Sequence, residues 1–472
     1  MFSANFRQTK NMLPRKKAIL AMASVLAVVL LGILPVQPAA VGFTRVLPKV
    51  NVQEFKSQDR LPVYRNGAYV FNVLSKFHQS SFSLVGVTWT GSLRANTQFT
   101  VKVHEANGWS DWQKLSYSVE HAPDGSSREA KLARHGTDPL ITAPSDGVIV
   151  RVLSKSKKLP KGIKVALIDS PTTSQDLRTF NSAKTSAQTR QSFGTVITKS
   201  GAVVNRPNIV TRAQWGADES WRDKTPRISS KIIAGFVHHT ATTNSYDPSD
   251  GPAQMRDLYA YFTKSLKYAD MGYNFLVDRY GVVYEGRAGC SPTAAPGCDG
   301  PSRAVIGAHT AGMNDNTFAI SAIGNFQTGK LDTTTANLLT NSISSLMAWK
   351  IAPYNLDPAA TVRIPSTDTS GLSKYRKGTV ATVLVISGHR DVGRTVCPGQ
   401  YLYAHMQDIR NRISGLLAGK IRDVDVTPTE QLASDLEPIT ISAQMPVTGS
   451  WSLTVRQAET GSVVFVDAGT QK

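Results

Sequence analysis

Cysteine is scarce in this chain: three in 472 residues, Cys290, Cys298 and Cys397. So few thiols exclude a disulfide-dense scaffold and a four-cysteine metal centre. After the first forty residues no run of 18 apolar residues occurs, which excludes a membrane-spanning helix from the rest of the sequence. The His-Glu-x-x-His helix of the commonest zinc proteases is absent, and no internal repeat stands out. Acidic residues are outnumbered, 34 against 53 Lys and Arg, for a net charge of +19. No basic cluster appears beyond Lys155-Ser156-Lys157-Lys158, so nothing marks an element that reads a nucleic-acid groove.

The first forty residues are different in kind. Arg7, Lys10, Arg15, Lys16 and Lys17 precede an apolar stretch from Ala18 to Val36, and small residues (Ala39, Ala40, Gly42) follow. That order reads as a secretory signal over 1–42, cleaved after Ala40 or Gly42, with an uncleaved anchor as the alternative. The chain is then exported, and its positive charge suits an anionic partner such as cell-wall polymers. Cys290 and Cys298 bracket a Pro/Gly loop and form the expected disulfide of an oxidising compartment. The odd thiol, Cys397, then needs a reason, and metal ligation supplies one.

Composition divides the remainder. Residues 44–170 alternate β-formers with turn dipeptides such as Asn107-Gly108 and Asp124-Gly125, which predicts an all-β, sandwich-like domain. Trp89, Trp109 and Trp112 are expected there as packing residues, with a sugar-binding face as the alternative. Residues 171–208 are polar and aperiodic and read as a linker. From 209 to 419 the pattern is α/β, a mixed central sheet flanked by helices. Lys231–Val237 reads as its first buried strand and Val380–Ile386 as its last. Met255, Leu258, Tyr259, Phe262 and Leu266 mark one helix face, and further helices are expected over Thr335–Lys350 and Tyr401–Leu417. Residues 420–472 read as a linker and a short β-rich tail.

Three side chains stand at strand ends in the α/β domain. His238 closes the first strand, His389 closes the last, and Cys397 follows in a loop. Two imidazoles and a thiolate make a three-ligand zinc set whose fourth position stays open, the pattern of a hydrolytic rather than a structural site. His239 is the alternative to His238, because neighbouring strand residues point to opposite faces.

The segment from about Ile209 to Leu417 resembles the zinc N-acetylmuramoyl-L-alanine amidase (amidase-2, or peptidoglycan recognition protein) family. The likeness rests on Thr211-Arg-Ala-Gln-Trp215-Gly216, Phe236-Val-His238-His239-Thr240 and Met271-Gly-Tyr273-Asn-Phe-Leu-Val277. It continues through Val283-Tyr-Glu-Gly-Arg287, Gly307-Ala-His309-Thr310, Ile323-Gly-Asn-Phe326, Gly388-His389-Arg-Asp-Val392 and Thr395-Val-Cys397-Pro-Gly399. The resemblance implies zinc held by His238, His389 and Cys397, with Tyr273 and Thr395 as catalytic groups. It implies that His309, His239 and Arg287 border the substrate, and that Glu285 braces or lines the groove. The implied reaction is cleavage of the amide between the lactyl group of N-acetylmuramic acid and L-alanine in peptidoglycan. Binding of peptidoglycan without cleavage is the alternative; members without catalysis usually lack the cysteine, which this chain keeps. The tail around Trp451–Val455 resembles the start of an immunoglobulin-like module.

Overall fold

A computed structural model describes residues 47–418, apart from 58–60, 94–95, 117–120, 126, 187–195, 198–202 and 290–303. It also describes 2–6, 422–427, 439–444, 449–456 and 463–471. Most of the expected signal and both Cys290 and Cys298 lie outside the described residues.

The chain divides into two compact units, Pro48–Lys420 and a smaller one formed by Met1–Leu47 with Ile421–Lys472. In the smaller unit Phe2–Phe6 pairs antiparallel with Ile439–Gln444, which also pairs with Arg422–Thr427. A separate hairpin joins Gly449–Arg456 to Val463–Gln471.

The larger unit opens with a β domain. Its strands pair antiparallel in the order Asn51–Lys56, Lys161–Asp169, Phe82–Thr90, Leu140–Ser154, Ala68–Lys76 and Val63–Arg65. Leu140–Ser154 pairs with Phe82–Thr90 near its start. After a register shift it pairs with Ala68–Lys76 and Gln98–Glu105, so one bent strand links both parts of the domain. Alternation in Gln98–Glu105 turns Phe99, Val101 and Val103 into the core, where Trp89 stacks on Phe99. Trp89 is therefore a packing residue; Trp109 and Trp112 are exposed, and the Arg151 guanidinium sits 4.0 Å over the Trp112 ring.

The segment read as a linker holds a helix, Ser174–Ser186. It has little apolar surface of its own. It is anchored through Asp176, whose carboxylate takes two hydrogen bonds from buried Arg256 at 2.8 and 2.9 Å.

The α/β domain is built on a six-stranded mixed sheet in the order Ile209–Val210, Val283–Glu285, Phe275–Val277, Thr317–Ala322, Ala234–His239 and Ile386–Gly388. The central strands are buried on both faces, which is why they read as continuous apolar runs. Thr333–Ile351 and Met406–Leu417 cover one face. The first of these is N-capped by Asp332, which accepts from Thr335 N at 2.9 Å. Gly251–Ala260 covers the other face and ends in a π-helical turn, Tyr261–Ser265. The expected helix over Tyr401–Leu417 is two pieces, Gln400–Tyr403 and Met406–Leu417.

The β and α/β domains share one core. Leu84, Ile141 and Ile168 of the first pack with Leu258, Tyr261 and Phe262 of the second. Contact is close enough to require glycine at two points: a Cβ on Gly86 would lie 2.2 Å from Tyr261 Cε2, and one on Gly136 would lie 2.4 Å from Leu266 Cδ2.

Candidate metal centre

Parallel pairing of two strands creates the site. Val237 lies opposite Gly388, so the next residue on each strand, His238 and His389, ends up side by side with ring centroids 4.4 Å apart. His389 begins a 3-10 turn, and the loop beyond it is closed by Arg390 N donating to Cys397 O at 2.8 Å. Within that loop Thr395 Oγ1 accepts from Cys397 N at 2.8 Å. The Cys397 thiol comes to rest 3.7 Å from His238 Nδ1 and accepts from His239 N at 3.3 Å.

Burial keeps the ligand nitrogens unprotonated. His238 and His389 are fully buried, and burial holds both well below the ordinary histidine pKa, with neighbouring histidines adding to the depression. Both are neutral imidazoles with a lone pair to offer. His389 Nδ1 is buried with no hydrogen-bond partner among the described residues, a costly state that a metal ion would relieve. His238 Nε2 lies 3.4 Å from Thr310 Oγ1, which is 3.0 Å from His309 Nδ1. With Nε2 protonated toward Thr310, the Nδ1 lone pair of His238 faces the thiol. Neutral imidazoles and a thiol are donors of the kind zinc takes; among the described residues the ligand atoms that all lie within 4.8 Å of one another belong to His121, His238 and His389, and Cys397 adjoins that group through His238.

His239 is on the opposite face of its strand. Its Nδ1 accepts from Phe326 N at 3.1 Å, and burial lowers its pKa to about 3. Tyr273 is buried beside the histidines, its hydroxyl 3.4 Å from the His239 carbonyl. His309 is buried behind His238, ring centroids 5.5 Å apart. Arg287 is engaged throughout: Nε donates to Met271 O at 2.7 Å, and Nη1 and Nη2 donate to the Glu129 carboxylate at 3.1 and 2.7 Å. Glu285 accepts Trp215 Nε1 on its carbonyl at 2.7 Å and braces the helix Arg212–Trp215.

Residues 229–400 match the N-acetylmuramoyl-L-alanine amidase family, and residues 49–188 match the Rv3811 N-terminal galactose-binding domain-like family. The chain is 27% identical over 207 residues to peptidoglycan-recognition protein SC2 of Drosophila simulans, covering 43% of this chain and 86% of the relative. It is 28% identical over 204 residues to an N-acetylmuramoyl-L-alanine amidase of Homo sapiens, covering 43% of this chain and 28% of the relative. Among solved structures, human PGRP-IBETAC in complex with glycosamyl muramyl pentapeptide matches at 25% identity and a TM-score of 0.29, covering 43% of this chain and 95% of that one.

Near the amidase-domain histidines the structure also places a residue that sequence reasoning missed. His121, from the β domain, lies with one ring nitrogen within 4.8 Å of one from His238 and one from His389. Its own turn-rich stretch carries no periodicity that would have singled it out, and it precedes His238 by more than a hundred residues.

Proposed function

We propose that the amidase domain hydrolyses the amide bond between the lactyl group of N-acetylmuramic acid and L-alanine in peptidoglycan, with zinc held by His238, His389 and Cys397. The observation that carries the reading is the pairing of two buried imidazoles at the ends of adjacent parallel strands, with the buried Cys397 thiol 3.7 Å from one of them. A zinc ion bound there supplies hydroxide near neutral pH and polarises the scissile carbonyl.

The remaining chemistry belongs to the chain. Tyr273 and Thr395 are the hydroxyl donors for the oxyanion: Tyr273 flanks the histidines, and Thr395 spends its oxygen on the Cys397 amide, which leaves its O–H to donate. His309 and Thr310 fix the His238 ring from behind. Export through the N-terminal signal brings the enzyme to the wall, where its positive charge favours anionic polymers. A Cys290–Cys298 disulfide suits that compartment.

A second reading, recognition of peptidoglycan without cleavage, draws on the complete burial of the histidine cluster. Dye release from purified peptidoglycan separates the two. Hydrolysis predicts release that is lost after metal removal and restored by zinc; sacculus binding with no release under either condition overturns it.

A further inference from the structure

We propose that His121 is a fourth protein ligand of this metal, so that the chain as folded holds a closed, latent His3Cys centre. The proposal rests on the metal reading of His238, His389 and Cys397 given above.

Position is the first argument. The His121 ring sits over the pair, with centroids 5.7 Å from His238 and 5.8 Å from His389. Like them it is buried, at 5% exposure.

Orientation is the second. His121 Nδ1 is 3.4 Å from the His309 carbonyl, which can only accept, so the proton belongs on Nδ1. The Nε2 lone pair is thereby turned inward, where it accepts from the Tyr273 hydroxyl at 2.7 Å; a metal would take that lone pair in place of the Tyr273 proton, leaving the hydroxyl to the His239 carbonyl at 3.4 Å. An imidazole whose one nitrogen donates to a carbonyl while the other presents a lone pair is the form that ligates metals.

The third argument is the way the segment is fastened. The His121 carbonyl accepts from the Tyr268 hydroxyl, and Asn314 Nδ2 donates to the Ala122 carbonyl at 3.0 Å and to Asp124 Oδ1 at 2.8 Å. Eight residues after His121, Glu129 is paired with buried Arg287. The β domain thus lays a strap across the amidase domain and delivers one imidazole to its metal-binding residues.

The functional consequence follows from coordination number. A centre with four protein ligands has no position for water, whereas hydrolysis requires one. Turnover therefore requires His121 to leave and a water molecule to replace it at the metal, an exchange of neutral ligands without redox change. The basal state is latent, and whatever lifts the strap activates it.

The full chain loaded with cobalt(II) tests this, with azide as the probe of an open position. In the wild type we expect a thiolate-to-cobalt charge-transfer band and ligand-field bands that do not respond to azide. In H121A the charge-transfer band stays, the ligand-field bands shift with azide, and dye release rises on the order of tenfold or more as the competent fraction grows. D124A leaves the ring in place and removes the Asp124 bond to Asn314 while the one to the Ala122 carbonyl stays, and gives an intermediate azide response. Should H121A fail to fold, this variant carries the test. Equal azide shifts in wild type and in the variant read overturn the role of His121. A missing charge-transfer band in the wild type instead overturns the metal reading beneath it.

Discussion

Arg287 and Glu129 face each other as a two-pronged pair, 2.7 and 3.1 Å between nitrogen and oxygen, with both side chains less than a tenth exposed. One follows the strand Val283–Glu285 of the amidase sheet, the other comes from the short helix Arg128–Leu132 of the β domain. Cutting Arg287 to alanine leaves the carboxylate buried without its partner, a change that costs about 3–5 kcal/mol in such settings. R287A is expected to lower the urea midpoint strongly, whereas the double variant R287M/E129M recovers much of the loss. The double-mutant cycle measures the coupling; a cycle that closes near zero shows the pair to be incidental.

Close approach of the domains at Gly86 gives a second prediction. An added Cβ there meets the Tyr261 ring, whose hydroxyl donates to the Thr137 carbonyl at 2.8 Å. G86A has to push the ring aside and break that bond, at a cost of about 1–3 kcal/mol. In a Tyr261→Leu background the alanine should be better tolerated than it is alone. Chemical denaturation of wild type, both single variants and the double variant reads the outcome. If G86A costs the same with and without the tyrosine ring, the steric account fails.

How much of this was legible depends on where the determining contact lies. The apolar strand through Phe236 and Val237 could be read from its composition, because a strand covered on both faces has no choice but to be apolar. The stretch read as one last strand, Val380–Ile386, is two pieces: Val380–Leu384 pairs with Thr361–Pro365, and only Ile386–Gly388, which leads into His389, joins the sheet beside His238. Ser174–Ser186 could not be read. It holds its place through tertiary contacts, Asp176 on Arg256, Thr179 on the Gln214 carbonyl and Phe180 against the core, and a polar segment placed from outside itself looks like a linker. The break at Ala404–His405 was hidden because apolar spacing continues across it. His121 was hidden for a different reason: its meaning comes entirely from a partner domain that no local pattern encodes. Arg287 illustrates the same limit, since a buried arginine reads as a groove residue until its carboxylate partner is seen.

The domain contact also carries a pH dependence. Asp257 is buried, and desolvation, reinforced by Asp169, raises its pKa from 3.8 to about 8, against the lowering effects of the Ser83 hydrogen bond and Arg256. Its Oδ2 accepts from Ser83 Oγ at 2.7 Å, while Oδ1 has no hydrogen-bond partner among the described residues, as suits a protonated acid. Between these two pKa values the folded protein keeps a proton that the unfolded chain gives up. Stability from this group therefore falls as pH rises through that window and levels off above about 8. D257N removes the titration, so its stability relative to wild type should rise with pH over the same range. Urea midpoints measured across the window give the comparison, and parallel profiles for the two proteins would refute it.

Cys397 offers the sharpest separation of metal chemistry from recognition. Its sulfur touches His238 Nδ1 and takes the His239 amide, so serine fits the space but replaces a soft donor with a poor one. C397S is expected to retain less zinc after dialysis and to lose at least about a hundredfold of dye release, in keeping with the several kcal/mol a catalytic metal contributes. Sacculus binding should remain near wild type, because serine fits the same space and can still accept from the His239 amide. Combining it with H121A distinguishes loss of metal from mere closure. If latency were the whole cause of low turnover, opening the site would restore activity to the serine variant. The metal reading requires that it does not, and a double variant as active as H121A alone would leave the thiol without a catalytic role.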